Sequence, residues 1–243
     1  MLSAICATPR RQQPARGETR SYSHRAHGST DRERYTAATL SRPPDLILAS
    51  ASPRRRELLQ GVGLVLAVEP VDLNEAVRDG EAPRAYAARV AAEKCEAAVA
   101  RLGAPAVAVL AADTVVTLAG EILGKPESEA QAAAMLHRLA GRRHEVLTAY
   151  RIRHSERTLE RVVGTFVTFR ALDPKEVEAY LACGEWRGKA GAYAIQGIAG
   201  SFATDIRGSF TNVVGLPLAE VLADLRALEA LPGYPPPAFG VSP

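Results

Sequence analysis

Five groups of residues stand out as candidates for binding or catalysis. The first is Ser50-Ala51-Ser52-Pro53-Arg54-Arg55, which follows a short apolar run. Pro53 suits the first position of a helix, so this segment reads as a strand, a tight turn and a helix N-terminus. Free N–H groups and the helix dipole favour an anion there. Two hydroxyls and two guanidiniums add donors suited to phosphate. The competing reading is ordinary N-capping by Ser50 or Ser52 with solvated arginines. A Walker loop is excluded, because its G-x-x-x-x-G-K-[ST] pattern is absent.

The second group is Asp113-Thr114, at the end of an apolar run. An acid placed there is costly to bury without a partner, and α/β sheets place ligands at the carboxyl ends of strands. A turn-forming Asp that caps local backbone is the alternative. The third is Asp72 and Glu75, oxygen donors that with Asp113 would suit a hard cation such as Mg²⁺. By themselves they read as a solvated acidic loop. The fourth is Lys94, Lys125 and Lys189, the latter two beside glycine and proline in a chain that prefers arginine. The fifth is the glycine-rich stretch from Lys189 to Gly197, where Tyr193 offers a flat face and Gln196 an amide able to read a base edge. A plain connecting loop is its alternative. The five histidines are scattered, and neither a Ser-His-Asp arrangement nor a His/Cys metal spacing emerges.

These residues need elements to position them. Strands are expected at 46–49, 64–68 and 106–112, the last running on through Asp113 to 118, and an antiparallel pair at 146–152 and 159–169. Helices are expected from Pro53 to Gln60, over 83–102, over 128–139, from an Asp173-Pro174-Lys175-Glu176 start to Gly184, and from Pro217 to about Ala230. A further strand is expected around 202–206. Crossovers together with a hairpin imply an α/β fold with a mixed sheet.

The chain has 243 residues with a formal net charge of +3. That charge is unevenly placed. Residues 1–44 hold eight arginines against three acids, net +5, and the remaining 22 basic and 24 acidic residues give −2. The basic segment lacks apolar periodicity and reads as a disordered extension. A transit peptide and a nucleic-acid-binding arm are the alternatives. Residues 231–243 read as a proline-rich disordered tail, leaving 45–230 as the folded domain. With no apolar run of about 18 residues, no membrane partner is expected. Three cysteines without a paired short spacing fit a reducing, cytoplasmic setting.

Taken in order, Ser50-Ala51-Ser52-Pro53-Arg54-Arg55, Glu75, Lys94, Asp113-Thr114, Gly124-Lys125-Pro126, Lys189 to Gly197 and Val213 to Pro217 resemble the Maf family. The resemblance covers about residues 45–230. It implies an elongated mixed β-sheet flanked by helices, in two lobes with a central cleft. It implies a nucleoside triphosphate pyrophosphatase of the dTTP/UTP branch, dependent on a divalent cation (Mg²⁺ or Mn²⁺). Asp113 would be the catalytic acid/base and, with Glu75, a metal ligand. Arg54, Thr114 and Gln196 would select the base, while Ser50, Ser52, Arg54, Arg55, Lys94, Lys125 and Lys189 would meet the phosphates. The family more often has adjacent acids where this chain reads Asp72-Leu73-Asn74-Glu75, which makes Glu75 the better ligand. A homodimer is what the family suggests, and no stable nucleic-acid partner is expected. The rival readings are a pyrophosphatase for modified or non-canonical nucleotides and a nucleotide-binding regulator of cell division.

Overall fold

A computed structural model describes residues 42–103, 105–231 and 234. The expectations for the basic extension and the proline-rich tail lie almost entirely outside these residues. Within them the chain folds into a mixed sheet with helices on both faces. Strand β1 (Leu46–Leu48) leads into helix α1 (Pro53–Gly61), and β2 (Leu66–Val68) follows. Helix α2 (Pro83–Leu102) precedes β3 (Ala108–Leu118) and the short β4 (Glu121–Leu123). Then come α3 (Glu129–Leu139), the long strands β5 (Arg143–His154) and β6 (Arg157–Phe169), and α4 (Pro174–Cys183). Two 3₁₀ turns (Ala190–Ala192, Ile198–Phe202), β7 (Ala203–Arg207), α5 (Phe210–Val214) and α6 (Leu218–Ala227) complete it.

The seven-stranded sheet runs β2-β1-β3-β5-β6-β7, with β4 paired to β3 off this path. Strands β2, β1 and β3 are parallel, and the remaining pairs are antiparallel. Local chemistry explains most boundaries. Ser52 caps α1, with Pro53 at its first position. Asp173 and Glu176 form a reciprocal capping box at α4, and Gly184 ends that helix in the left-handed conformation.

Strand β3 organises the core. Its odd positions Val109, Ala111 and Val115 pack with α2 residues such as Ala98, Cys95 and Val90. Its even positions Leu110 and Ala112 pack with Leu48, Leu216, Val221 and Leu225, while Val116 and Leu118 join a separate cluster with Leu136, Tyr180 and Tyr193. The apolar core on that face is thus split into two parts along β3, in keeping with two lobes. One edge of β3 is covered by β5 from Val109 to Thr117. On the other edge, β1 covers only Ala108–Leu110 and β4 only Val116–Leu118. Among the described residues the stretch between them, which contains Asp113 and Thr114, has no strand partner on that edge. A gap in the sheet is what gives these two residues a way out.

The differences from expectation are local. Strand β3 runs on through Asp113 to Leu118 as expected, which puts Asp113 and Thr114 in mid-strand rather than at a strand end, and β4 and α5 were not expected. Three residues of strand and five of helix carry too little periodicity to be read without their tertiary partners. The last helix stops at Ala227, where Leu228 caps it. The glycine-rich segment is partly ordered as 3₁₀ turns, with Gly191 at φ +65° donating its N–H to the Gly124 carbonyl at 3.1 Å.

Candidate active site

The gap in the sheet edge opens into a cleft of about 450 Å³. It is lined by every one of the predicted site residues: Ser50, Ser52, Arg54, Arg55, Glu75, Lys94, Asp113, Thr114, Lys125, Lys189 and Gln196. Asp72 also reaches it, from an exposed irregular segment.

Alternation along β3 sends Asp113 to the face covered by α2 and Thr114 to the opposite face. On the α2 side, Lys94 comes from the middle of that helix. Its Nζ lies 2.9 Å from Asp113 Oδ1 and 2.6 Å from Glu75 Oε1. The Lys94 and Asp113 side chains are 10% and 9% exposed, so this ion pair is sheltered from water, whereas Glu75 at 31% faces the cleft. Lys125 approaches Glu75 Oε2 at 3.6 Å. Burial pushes the Glu75 carboxyl up, but the two ammonium groups outweigh it and its pKa lies below the usual carboxylate range. The acidic loop is itself tied down by α2. The Tyr86 hydroxyl donates to the Glu75 carbonyl at 2.9 Å, and Arg89 donates to the Ala76 carbonyl at 3.1 Å.

On the other side, Arg55 is buried and its guanidinium is engaged at all three nitrogens. Nε donates to the Gly215 carbonyl at 2.8 Å, Nη1 to Ser50 Oγ at 3.0 Å and Nη2 to Thr114 Oγ1 at 3.0 Å. Arg54 points its Nε at the Val214 carbonyl, 3.2 Å away. Burial holds the pKa values of both arginines below the ordinary guanidinium value. The Lys189 ammonium is also lowered, by partial burial first and by the nearby Arg54 charge second. A partly desolvated ammonium beside a second cation, with its Nζ on the Arg187 carbonyl at 3.1 Å, is short of negative charge. Gln196 sits exposed at the rim.

One sequence expectation is corrected. Tyr193 does not present a free face for a base. It is 6% exposed, its hydroxyl pairs with His144 Nε2 at 2.9 Å, and its ring stacks edge-on against Phe169 and His144. An aromatic ring with such partners contributes more to the core than to a wet cleft.

The sequence reading missed a second layer. Thr148 and Asn212 are fully buried behind Thr114, and Gly215, at φ +134°, turns its carbonyl toward Arg55. Their only sequence signals are a polar residue inside the alternation of β5 and an Asn just before the Val213-Val214-Gly215 segment.

The donor set can be tested for a cation. Among the described residues no group of three or more His, Cys, Asp or Glu side chains converges on one point. Two carboxylates, Glu75 and Asp113, do converge, on Lys94. Mg²⁺ is commonly held by one or two carboxylates, with water and substrate phosphates completing the shell. The residues present fit that arrangement and do not form an all-protein cage.

A cleft with one acid pair, clustered cations and a capped helix N-terminus suits a small polyanion. The family described as Maf-like protein matches residues 45–228. The dTTP/UTP pyrophosphatase of Cereibacter sphaeroides is 52% identical over 190 residues, covering 78% of this chain and 97% of that protein. The dTTP/UTP pyrophosphatase of Anaeromyxobacter dehalogenans is 50% identical over 198 residues, 80% of this chain and 97% of that one. The protein of the same name from Rhizobium meliloti is 49% identical over 183 residues, 73% and 89% respectively. Among the described residues no helix is long and apolar enough to cross a membrane.

Proposed function

The chain belongs to the Maf family, and we propose that it hydrolyses dTTP and UTP to the nucleoside monophosphate and pyrophosphate. The observation that carries this reading is the convergence of Asp113 and Glu75 with Lys94, Lys125, Lys189 and Arg54 in one cleft. That convergence supports a proton acceptor and phosphate-binding cations acting in one cleft.

The chemistry asked of the site is an in-line displacement. A water oxygen bonds to the α-phosphorus, the bridge to the β-phosphate breaks, and pyrophosphate leaves with that oxygen. Asp113 orients the water and takes its proton. Its Oδ1 is fixed by Lys94, so the carboxylate is held in one orientation and Oδ2 is left for the water. When bound, Mg²⁺ or Mn²⁺ supplies charge neutralisation to the phosphate oxygens, and Glu75 and Asp113 are the residues that would hold it. Lys125, Lys189, Arg54 and the α1 N-terminus with Ser50 and Ser52 meet the charge that moves onto the leaving group. Arg55 acts behind them, because its bonds go to Ser50, Thr114 and Gly215. Thr114, Gln196 and Arg54 read the base, and a site that hydrogen-bonds its base rejects analogues that leave buried groups unpaired.

The test is pyrophosphate release from dTTP, UTP, CTP and 7-methyl-GTP by the wild type and by Asp113→Asn. Asp113→Asn should lose roughly 10²- to 10⁴-fold in kcat while still folding. Near-normal turnover would sink the assignment of the base, and preference for the methylated purine would sink the pyrimidine reading. Nucleotide-dependent thermal stabilisation without pyrophosphate would favour the regulator instead.

A further inference from the structure

Thr114 and Thr148 face each other directly in the β3–β5 register, and their hydroxyl oxygens are 2.9 Å apart. Distance alone leaves either one as the donor. The partners behind them decide it. Thr148 Oγ1 lies 3.0 Å from the Asn212 carbonyl, which can only accept. A hydroxyl has one proton, so the proton of Thr148 goes to Asn212 and Thr148 must accept from Thr114. The same direction runs further in. The Asn212 amide donates through Nδ2 to the Val146 carbonyl at 3.1 Å and to Thr165 Oγ1 at 3.0 Å, and Thr165 donates onward to the Ser209 carbonyl at 3.3 Å. Thr148 and Asn212 are both 0% exposed, so water does not offer an alternative partner.

The consequence appears at the cleft. Thr114 gives its proton inward and already accepts from Arg55 Nη2 at 3.0 Å. What remains toward the cleft is one lone pair. An acceptor of that kind repels phosphate oxygens and welcomes an N–H. Uracil and thymine carry a proton on N3, whereas cytosine N3 is an acceptor. We propose that Thr148 is a specificity-positioning residue: by taking the Thr114 proton it fixes that hydroxyl as an acceptor and so favours uracil and thymine nucleotides over cytosine nucleotides. The inference rests on the dTTP/UTP reading above and adds a residue that never touches the substrate.

In Thr148→Val, the Thr114 proton keeps only the Gly215 carbonyl, at 3.4 Å and already accepting from Arg55. The hydroxyl is then free to turn and donate. The experiment measures kcat/KM for UTP and CTP, and the thermal midpoint, for wild type, Thr148→Val, Thr148→Ala and Thr148→Ser. Thr148→Val should lower the UTP value about tenfold, the effect of one hydrogen bond, without lowering the CTP value, so the UTP/CTP ratio narrows about tenfold. Thr148→Ser, which keeps the hydroxyl, should restore the ratio. Thr148→Ala removes the hydroxyl with no added bulk and should reproduce the change if the valine variant does not fold. Equal losses on both nucleotides, or a lower midpoint with an unchanged ratio, would overturn the proposal. A wild type that turns over UTP and CTP equally would overturn the preference for uracil and thymine nucleotides and this inference together, and is seen before any variant is made.

Discussion

At the scale of single residues, Arg55 shows how the site separates binding from positioning. Its charge lies in a cleft lined by other cations, yet its three nitrogens are bound to Gly215, Ser50 and Thr114. A lysine keeps the charge but cannot span three directions. Arg55→Lys should therefore cost about 2 kcal/mol of unfolding free energy, through buried acceptors left without donors, and should raise KM for UTP. Urea denaturation and steady-state kinetics check the two halves; an unchanged midpoint would mean that the guanidinium network carries no stability. His144 makes a different prediction. Burial pushes its imidazole pKa down to about 4, against an ordinary value of 6.5. Between those two pH values the unfolded chain binds a proton that the native one does not, so stability rises with pH across this window and falls as pH drops from 6.5 toward 4. The loss attributable to this group is at most about 3 kcal/mol. Urea midpoints measured from pH 4 to 7 should slope less in His144→Gln than in the wild type, and parallel slopes would contradict this. The sequence could not have singled out His144, because its role depends on Tyr193 and Phe169, which are distant in the chain and meet it only in the core.

At the scale of elements, the parts that position chemistry were legible where local rules act and illegible where pairing acts. The Ser52 cap and Pro53 fix where α1 starts, and the Asp173 box fixes α4, so both could be read from neighbours in sequence. The gap in the β3 edge could not, since it depends on where β1 ends and β4 begins, and β4 is three residues long. The residues singled out in the sequence line one cleft, and most were legible because a charged or hydroxyl residue there breaks an apolar pattern, at the turn before α1 and in mid-strand at Asp113 and Thr114. The layer behind it was missed because Thr148 passes for one more residue of a strand. Helix α2 supplies a test of positioning at this scale. Its Tyr86 hydroxyl holds the Glu75 carbonyl, while Lys94, two turns further on, holds the Glu75 carboxylate. Tyr86→Phe removes one hydrogen bond, worth about 1 kcal/mol, and leaves the ring in the core. It should raise the Mg²⁺ concentration needed for half-maximal rate several-fold and shift the thermal midpoint only slightly. A variant whose metal dependence matches the wild type would show that the acidic loop is fixed by other contacts.

At the scale of the whole molecule, the net charge of +3 belongs to two unlike parts. Residues 1–44 contribute +5, and the remainder, which contains every described residue of the cleft, is −2. A slightly acidic body that binds a triphosphate must do so with local charge, and the cations at Lys125, Lys189 and Arg54 supply it within the cleft, Lys94 being paired with Asp113 and Glu75. Electrostatic focusing by a few placed groups does not require a basic protein. Removal of residues 1–44 should then reverse the sign of the net charge without changing the site. The truncated protein should lose its retention on a cation exchanger at neutral pH. Its kcat for dTTP and UTP should stay within about twofold of the full chain, since every described residue that lines the cleft lies beyond residue 44, and its KM should change only through long-range attraction, which salt near 0.15 M screens beyond about 8 Å. The decisive comparison is KM at low and at physiological salt. A basic segment that merely attracts the nucleotide gives a KM difference that vanishes as salt rises. A difference that persists at high salt, in a truncated protein with an unchanged thermal midpoint, would place part of the segment in the binding site and overturn the division into extension and enzyme.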